Sequence, residues 1–246
     1  MRMWSGINVL LGLVLHSAVR VFASKDPLTF RGPVLIVTPH PDDETLACGG
    51  VIALLAKDHR IVIACMTDGR YGGKSGSNQP QDHVQARMRE LRNAAELLGR
   101  GSVEVVTLDY EDSSLTRHIG GRLEETLTSL VTSIMPVAIF YPSPHDLNGD
   151  HAATGTAARN IYVDATTRRF EYLVWGWRSP LSLLRRFLAD RRRMHLGRPV
   201  VVDTRQQQTV KARALDCYHS QLASNGPLSW AFLLPFRRPA EVFFAV

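Results

Sequence analysis

From residue 33 onward, short unbroken apolar runs alternate with stretches whose apolar residues recur every three or four positions. Val34-Leu35-Ile36-Val37 follows Gly32-Pro33 and has the continuous apolar character of a strand buried on both faces, as in a parallel sheet. The pattern then predicts a helix over 45–57, a strand over 60–66 and a helix over 81–98 with Gly99 as its C-cap. A strand follows over 103–108, a helix over 122–134, a strand over 137–141 and a helix over 151–162. Strands over 172–177 and 200–202, a long helix over 209–222 and a terminal strand over 241–246 complete the series. Between the second strand and its helix, residues 69–80 are rich in Gly and Ser, a loop long enough to be functional. Strands alternating with helices predict an α/β fold, a Rossmann-like, doubly wound and mostly parallel sheet with helices on both faces. No internal repeat and no linker divides the region.

Residues 1–32 form a separate apolar segment, so the chain is divided into 1–32 and a main domain over 33–246. Trp4, Ile7, Leu11, Val14, Ala18 and Phe22 recur at helical steps, as in an amphipathic helix that lies on a membrane interface or docks on the core. The same stretch reads as a single anchor, weakened by Asn8, His16 and Arg20. A cleaved signal is a third reading, with residues 7–15 as its apolar region, Val21-Phe22-Ala23 as a cleavage-like end and Arg20 badly placed before it. All three stay open at this level.

The composition, 246 residues with 45% hydrophobic and 21% charged, excludes a disordered chain, a collagen-like repeat, a disulfide scaffold and a polytopic membrane protein. Cys48, Cys65 and Cys217 include no Cys-x-x-Cys pair, so neither a thiolate zinc site nor a disulfide framework is indicated. The net charge of +6 is local: residues 168–198 hold nine Arg against Glu171 and Asp190, and the remainder is near neutral. The stretch 181–193 mixes arginines with helically spaced apolar residues beside Trp175 and Trp177. It fits a clamp for substrate phosphate, a surface for an anionic bilayer, or an ordinary solvated helix.

In a doubly wound sheet, ligands bind at the carboxyl ends of strands where the strand order reverses. After the first strand comes Thr38-Pro39-His40-Pro41-Asp42-Asp43-Glu44, and after the fourth comes Pro142-Ser143-Pro144-His145-Asp146-Leu147-Asn148-Gly149-Asp150-His151. Two imidazoles and one carboxylate with an open fourth position make a catalytic rather than a structural zinc set. His40 and Asp43 are close enough to bind one ion, and His151 can complete the set from the neighbouring strand end. Asp42, between two ligands, is placed for a general base. The competing reading of the first turn is an N-capped helix start; two such turns in one sheet argue against it.

The stretch VLIVTPHPDDETLACGG, with Asp150-His151 downstream, resembles the PIG-L/LmbE-like zinc N-deacetylases. Further similarity lies in Thr67-Asp68-Gly69, in Arg87, Glu90, Ala94 and Leu98-Gly99, and in Lys211, Ala214-Leu215 and His219-Ser220-Gln221. The resemblance runs from about residue 33 to 246. It implies an LmbE-like fold and a hydrolase that removes the N-acetyl group from an amino sugar of the N-acetylglucosamine type on an inositol, lipid, nucleotide or natural-product carrier. It further implies one Zn2+ per chain on His40, Asp43 and His151, with Asp42 as the base.

Asn148 stands where many family members carry an auxiliary histidine, and an amide cannot act as an acid. His145 and His219 are candidates to supply that function, although each is more often a structural histidine. Asp150 is expected to orient His151 or Arg87. Arg87 is expected to hold a carboxylate or the substrate, with a helix salt bridge to Glu90 as the alternative. Asp68 and residues 70–78 are expected at the pocket mouth, and residues 109–112 read as a solvated acidic turn in preference to a contact for sugar hydroxyls. The expected location is cytoplasmic, with the N-terminal segment and 168–198 as a route to an anionic membrane surface, and no nucleic-acid partner. The competing functions are a metal-free nucleotide- or nucleic-acid-binding module using 168–198, which lacks a GxGxxG or P-loop, and a phosphatase with Asp42 as nucleophile.

Overall fold

A computed structural model describes residues 2–72, 80–189, 195–222 and 227–246. The chain begins with α1 (Arg2–Phe22) and β1 (Ser24–Lys25), then β2 (Val34–Thr38), α2 (Asp43–Leu55), β3 (Ile61–Thr67), α3 (Pro80–Gly99) and β4 (Val103–Tyr110). It continues with α4 (Arg122–Ile134), β5 (Ala138–Pro142), α5 (Gly149–Asn160), β6 (Arg168–Tyr172), α6 (Trp175–Arg178) and α7 (Pro180–Ala189). The last elements are β7 (Arg198–Asp203), α8 (Gln208–Leu215), α9 (His219–Leu222), α10 (Trp230–Leu233) and β8 (Ala240–Ala245).

The described strands form a single sheet in the order β1-β7-β8-β6-β5-β2-β3-β4. Strand β8 alone runs against its neighbours β6 and β7; every other pairing is parallel. The expected doubly wound, mostly parallel architecture is therefore present. Alternate residues of each central strand enter opposite cores. Val34 and Ile36 pack in one with Leu46, Val51, Leu91 and Leu215, while Leu35 and Val37 pack in the other with Leu123, Leu127, Ala153 and Ala157. Burial on both faces explains why these strands are apolar without interruption. The order reverses between β2 and β5, which pair from Val34–Ala138 to Ile36–Phe140.

Three local expectations are corrected. Residues 172–177 are not one strand: β6 ends at Tyr172, and α6 begins at Trp175. The Asp146 carboxylate accepts the backbone N–H groups of Val174, Trp175 and Gly176, and so turns the chain there. The long helix over 209–222 is broken into α8 and α9. Tyr218 turns inward between them to donate to Glu44, and Glu90 accepts from the Ser220 N–H and hydroxyl at the start of α9. Helix α3 runs through Gly99, and its left-handed exit falls on Arg100 (φ 50°) and Gly101 (φ 84°).

Buried ionic contacts tie the layers together. Lys211 of α8 donates to Leu46 O and, at 2.6 Å, to Glu241 of β8, while Glu241 also accepts from the N–H groups of Gly50 and Val51 in α2. The Arg-rich stretch is partly spent in the same way. Arg168 pairs with Asp26 and lies over the Phe170 ring, and Arg169 donates to the carbonyls of Ala158 and Ile161. Residues 191–193 lie outside the described residues.

Helix α1 packs against α6, α7 and β7, and Ser24-Lys25 extends the sheet beside Val200 and Val201. Gly12 sits directly on the Trp177 carbonyl, where a Cβ would lie 2.2 Å from the oxygen, so any side chain there would push the helix off. His16 is buried edge-on to the Trp177 ring, with centroids 4.8 Å apart. No helix among the described residues is long and apolar enough to cross a membrane.

Burial first, and then Arg20, Arg238 and Lys211, push His16 down to about 3. A histidine depressed in this way costs nothing above its unfolded value of about 6.5 and destabilises the docked helix increasingly as pH falls from there towards 3. Between pH 7 and pH 5 the protein should lose about 2 kcal/mol more stability than a His16→Leu variant, as measured by chemical denaturation at the two pH values. Parallel losses would contradict this account.

Candidate active site

The reversal between β2 and β5 brings the two His/Asp turns together. In the first, the Thr38 hydroxyl donates to His40 O, and Asp42 O accepts from Thr45 and Leu46 N–H to begin α2. Asp42 itself has φ 128°, a left-handed conformation that only surrounding contacts can hold in a non-glycine residue. Those contacts come from its own N–H to Glu44 and from Arg87, whose guanidinium lies 3.1 Å from the Asp42 carboxylate and also donates to Pro41 O and Gly69 O. In the second turn, Asn148 caps α5, its side-chain oxygen accepting from Asp150 and His151 N–H.

His40 Nδ1 lies 3.1 Å from Asp43 Oδ2, and His151 Nε2 lies 3.0 Å from the same oxygen. One donor atom from each of these residues falls within 4.8 Å of the others, a cluster that can hold a metal ion. The opposite nitrogen of each imidazole faces carboxylate. His40 Nε2 is 3.3 Å from Asp150 and 3.4 Å from Asp112, and His151 Nδ1 is 2.8 Å from Asp146. Carboxylates behind metal-binding histidines fix ring orientation and raise ligand basicity. His151 is fully buried, yet neither ring nitrogen has an aligned hydrogen bond, so the contact with Asp146 is one of proximity. A buried imidazole nitrogen directed at a carboxylate across 3.0 Å fits a ligand position.

The electrostatics point the same way. Asp42, Asp43, Asp112, Asp146 and Asp150 are all buried around the two imidazoles, with the Arg87 guanidinium beside Asp42. Such an excess of buried negative charge calls for a bound cation. Without one, burial pushes Asp42 up to about 8, opposed by Arg87 and assisted by Asp43. Burial would lower His151, but Asp43 and Asp146 outweigh it and carry the ring up to about 9. Asp43 is held below the ordinary carboxylate range by His151 and His40 despite its burial.

The pocket beside this cluster has a volume of about 240 Å³ and is lined by His40, Asp42, Asp43, Arg87, Asp112, Asn148, Trp175, Gln221 and Phe232, among others. A larger cavity of about 850 Å³ lies between α1 and the ends of β1 and β7, away from the cluster.

Several expected residues sit elsewhere. Asp150 serves His40 and the N–H groups of Ser113 and Leu115, not His151 or Arg87; Asp146 faces His151. Arg87 contacts Asp42, and Glu90 is occupied by Ser220, so the expected alternative pair between them is not formed. His145 is buried, burial lowers its pKa, and it is not among the lining residues; His219 is exposed and also absent from the lining. Asp68 holds Arg70 and the Asp112 N–H instead of lining the pocket; of the expected mouth loop, Tyr71 and Gly72 do line it, and residues 73–78 lie outside the described residues. In the acidic turn Asp109 and Glu111 are exposed, but Asp112 is buried against His40. Asp146 and Gln221 were both inside recognised motifs, yet nothing local marked the first as the support of His151 or the second as pocket lining.

Fold and cluster together define a doubly wound α/β protein with a His-Asp-His cluster at its switch point that can hold a metal ion. The family model for PIG-L, GlcNAc-PI de-N-acetylase, matches residues 35–162, more than half of the chain, and the chain belongs to that family. A probable N-acetyl-alpha-D-glucosaminyl L-malate deacetylase 2 of Bacillus cereus is 32% identical over 137 residues, a match covering 50% of this chain and 58% of the relative. The chain thus spans under two thirds of that relative's length. The N,N'-diacetylchitobiose deacetylase of Pyrococcus horikoshii superposes with a TM-score of 0.68 at 21% identity, over 95% of this chain and 90% of that one. The 4-carboxy-2-hydroxymuconate hydratase of Pseudomonas putida superposes with a TM-score of 0.62 at 16% identity, over 88% and 95%. These two similarities show the fold alone.

Asp146→Asn would set an amide N–H2 against the peptide N–H groups and the His151 ring that the carboxylate now serves. Affinity for a divalent metal, titrated calorimetrically into metal-free protein, should fall about 10- to 100-fold. Unchanged affinity would remove Asp146 from the support of His151.

Proposed function

We propose that this protein is a zinc-dependent hydrolase that removes the N-acetyl group from an N-acetylated amino sugar of the N-acetylglucosamine type. The observation that carries the reading is the His40, Asp43 and His151 cluster with Asp42 held beside it in the pocket by Arg87. Family membership and the Bacillus cereus relative support the acetylated amino sugar as substrate class. On this reading residues 33–246 are the deacetylase domain, and 1–32 is a segment appended to it.

His40, Asp43 and His151 would hold the zinc, and two nitrogens and one carboxylate oxygen suit that ion with a position left for water. When bound, zinc supplies Lewis acidity, which lowers the pKa of water towards about 7 and polarises an amide carbonyl. Asp42 takes the proton of the water whose oxygen adds to the carbonyl carbon. Arg87 keeps that carboxylate aimed, and the strained backbone at Asp42 keeps it out of α2. As the C–N bond breaks, the Asp42 carboxyl gives its proton to the departing sugar amine, leaving acetate and the free amine. Asn148 lines the pocket and offers an amide N–H2, because its oxygen is engaged in capping α5. Asp112 and Gln221, on the pocket wall, offer partners for sugar hydroxyls.

Against the nucleic-acid reading, Arg168 and Arg169 of the Arg-rich segment are engaged within the protein. A lipid-linked carrier belongs to the present proposal, because Trp175 lies on the pocket wall and at the start of the helix that carries α1. The metal should be about one zinc per chain by elemental analysis, lost in His40→Ala. Asp42→Asn should keep the zinc and lose about 10²- to 10⁴-fold in acetate release from a panel of N-acetylated sugars, free, nucleotide-linked and lipid-linked. Wild-type turnover in Asp42→Asn would overturn the base, and release of phosphate without acetate would turn the assignment to a phosphatase.

A further inference from the structure

Helix α1 docks by its less apolar side. Gly12, His16, Val19 and Ala23 face the body of the protein. The opposite side carries Leu10, Val14 and Phe22, with Leu10 at 64% and Phe22 at 85% exposure. An amphipathic helix in a water-surrounded protein turns its apolar stripe inward; this one turns it outward. The helix α7, packed beside it, adds exposed Leu184 and Leu188.

The charge of the same face is of one sign. Helices α1, α6 and α7 contain no Asp, Glu or Lys, and α6 and α7 together carry three Arg. Arg178, Arg185 and Arg186 are exposed, and Arg178 stacks over the Trp175 ring 5.1 Å from its centroid. A second copy seated on this face about a two-fold axis would set arginine against arginine, a repulsive arrangement. A surface that offers apolar depth and negative charge together satisfies both halves of the pattern. We propose that the α1–α7 face is a docking surface for an anionic lipid bilayer.

Docking there places the catalytic pocket at the membrane. Helix α6 joins the two: Trp177 packs under α1, and Trp175 lines the pocket with Phe232. The substrate that this geometry favours is an amino sugar whose carrier is a lipid, a statement that rests on the deacetylase reading; the docking surface does not.

Vesicle flotation of the full chain tests the surface. Vesicles of phosphatidylcholine with one quarter phosphatidylglycerol should bind the protein at least tenfold better than phosphatidylcholine alone. The variant Leu10→Glu/Val14→Glu should abolish the binding, and Arg185→Glu should weaken it by about fivefold or more, from roughly 1 kcal/mol per arginine at such a surface. Because Leu10, Val14 and Arg185 are already exposed, each variant should keep the wild-type thermal midpoint and the wild-type rate on a water-soluble N-acetylated sugar. Absence of binding to the anionic vesicles, or wild-type binding by Leu10→Glu/Val14→Glu, would overturn the proposal. So would light scattering that finds a dimer which this variant converts to a monomer, since the face would then belong to a second copy. Vesicle binding without acetate release from any amino sugar would leave the docking surface standing and remove the deacetylase reading.

Discussion

Strands β2 and β5 lie side by side while the connections that leave them run to opposite halves of the sheet, and the crevice at their carboxyl ends is the constraint on which the site depends. His40 and Asp43 come from one strand end, and His151 from the turn and helix beyond the other. Neither turn offers a metal-binding set alone. Their meeting is secured by the register of β2 on β5, which is in turn secured by burial of alternate residues in two separate cores. A one-residue slip would send each apolar side chain to the wrong face and part the histidines.

Around that crevice the protein concentrates costly features and offsets each locally. Buried carboxylates stand behind both imidazoles, Arg87 holds Asp42, and the positive φ of Asp42 is fixed by hydrogen bonds at both ends of its peptide. Helix α2, which begins there, is held in register from beneath by Glu241 and Lys211 and from the side by Tyr218 on Glu44. This support keeps the donor atoms of His40, Asp43 and His151 within 4.8 Å of one another. A hydratase with a similar fold illustrates why the argument for chemistry rests on these side chains and not on the sheet.

The alternation of strands and helices was legible because hydrophobic periodicity is local, and the two turns were legible because they concentrate His and Asp at strand ends. Their neighbours were harder to read. Asp112 looked like one acid of a solvated turn, and only the loop after β4, meeting the turn after β2, buries it against His40. The run Tyr172-Leu173-Val174-Trp175 has the composition of a strand, and only the Asp146 carboxylate, contributed from another turn, redirects it into α6. A period-3.6 pattern continued through residues 216–218, where Tyr218 breaks the helix to reach Glu44.

The apolar stripe of α1 shows the same division. Its helical spacing was plain along the chain, but spacing is blind to which way a stripe points. The close approach of Gly12 to Trp177 and the burial of His16 decide that, and they turn the stripe away from the core. What the amino-acid order determined by itself was the set of elements, their sequence along the chain and the residue types able to hold a metal, all properties of neighbours in the chain. Which carboxylate supports which histidine, which helix breaks and which face of α1 meets the outside were decided by contacts between distant segments, which exist only once the sheet has formed.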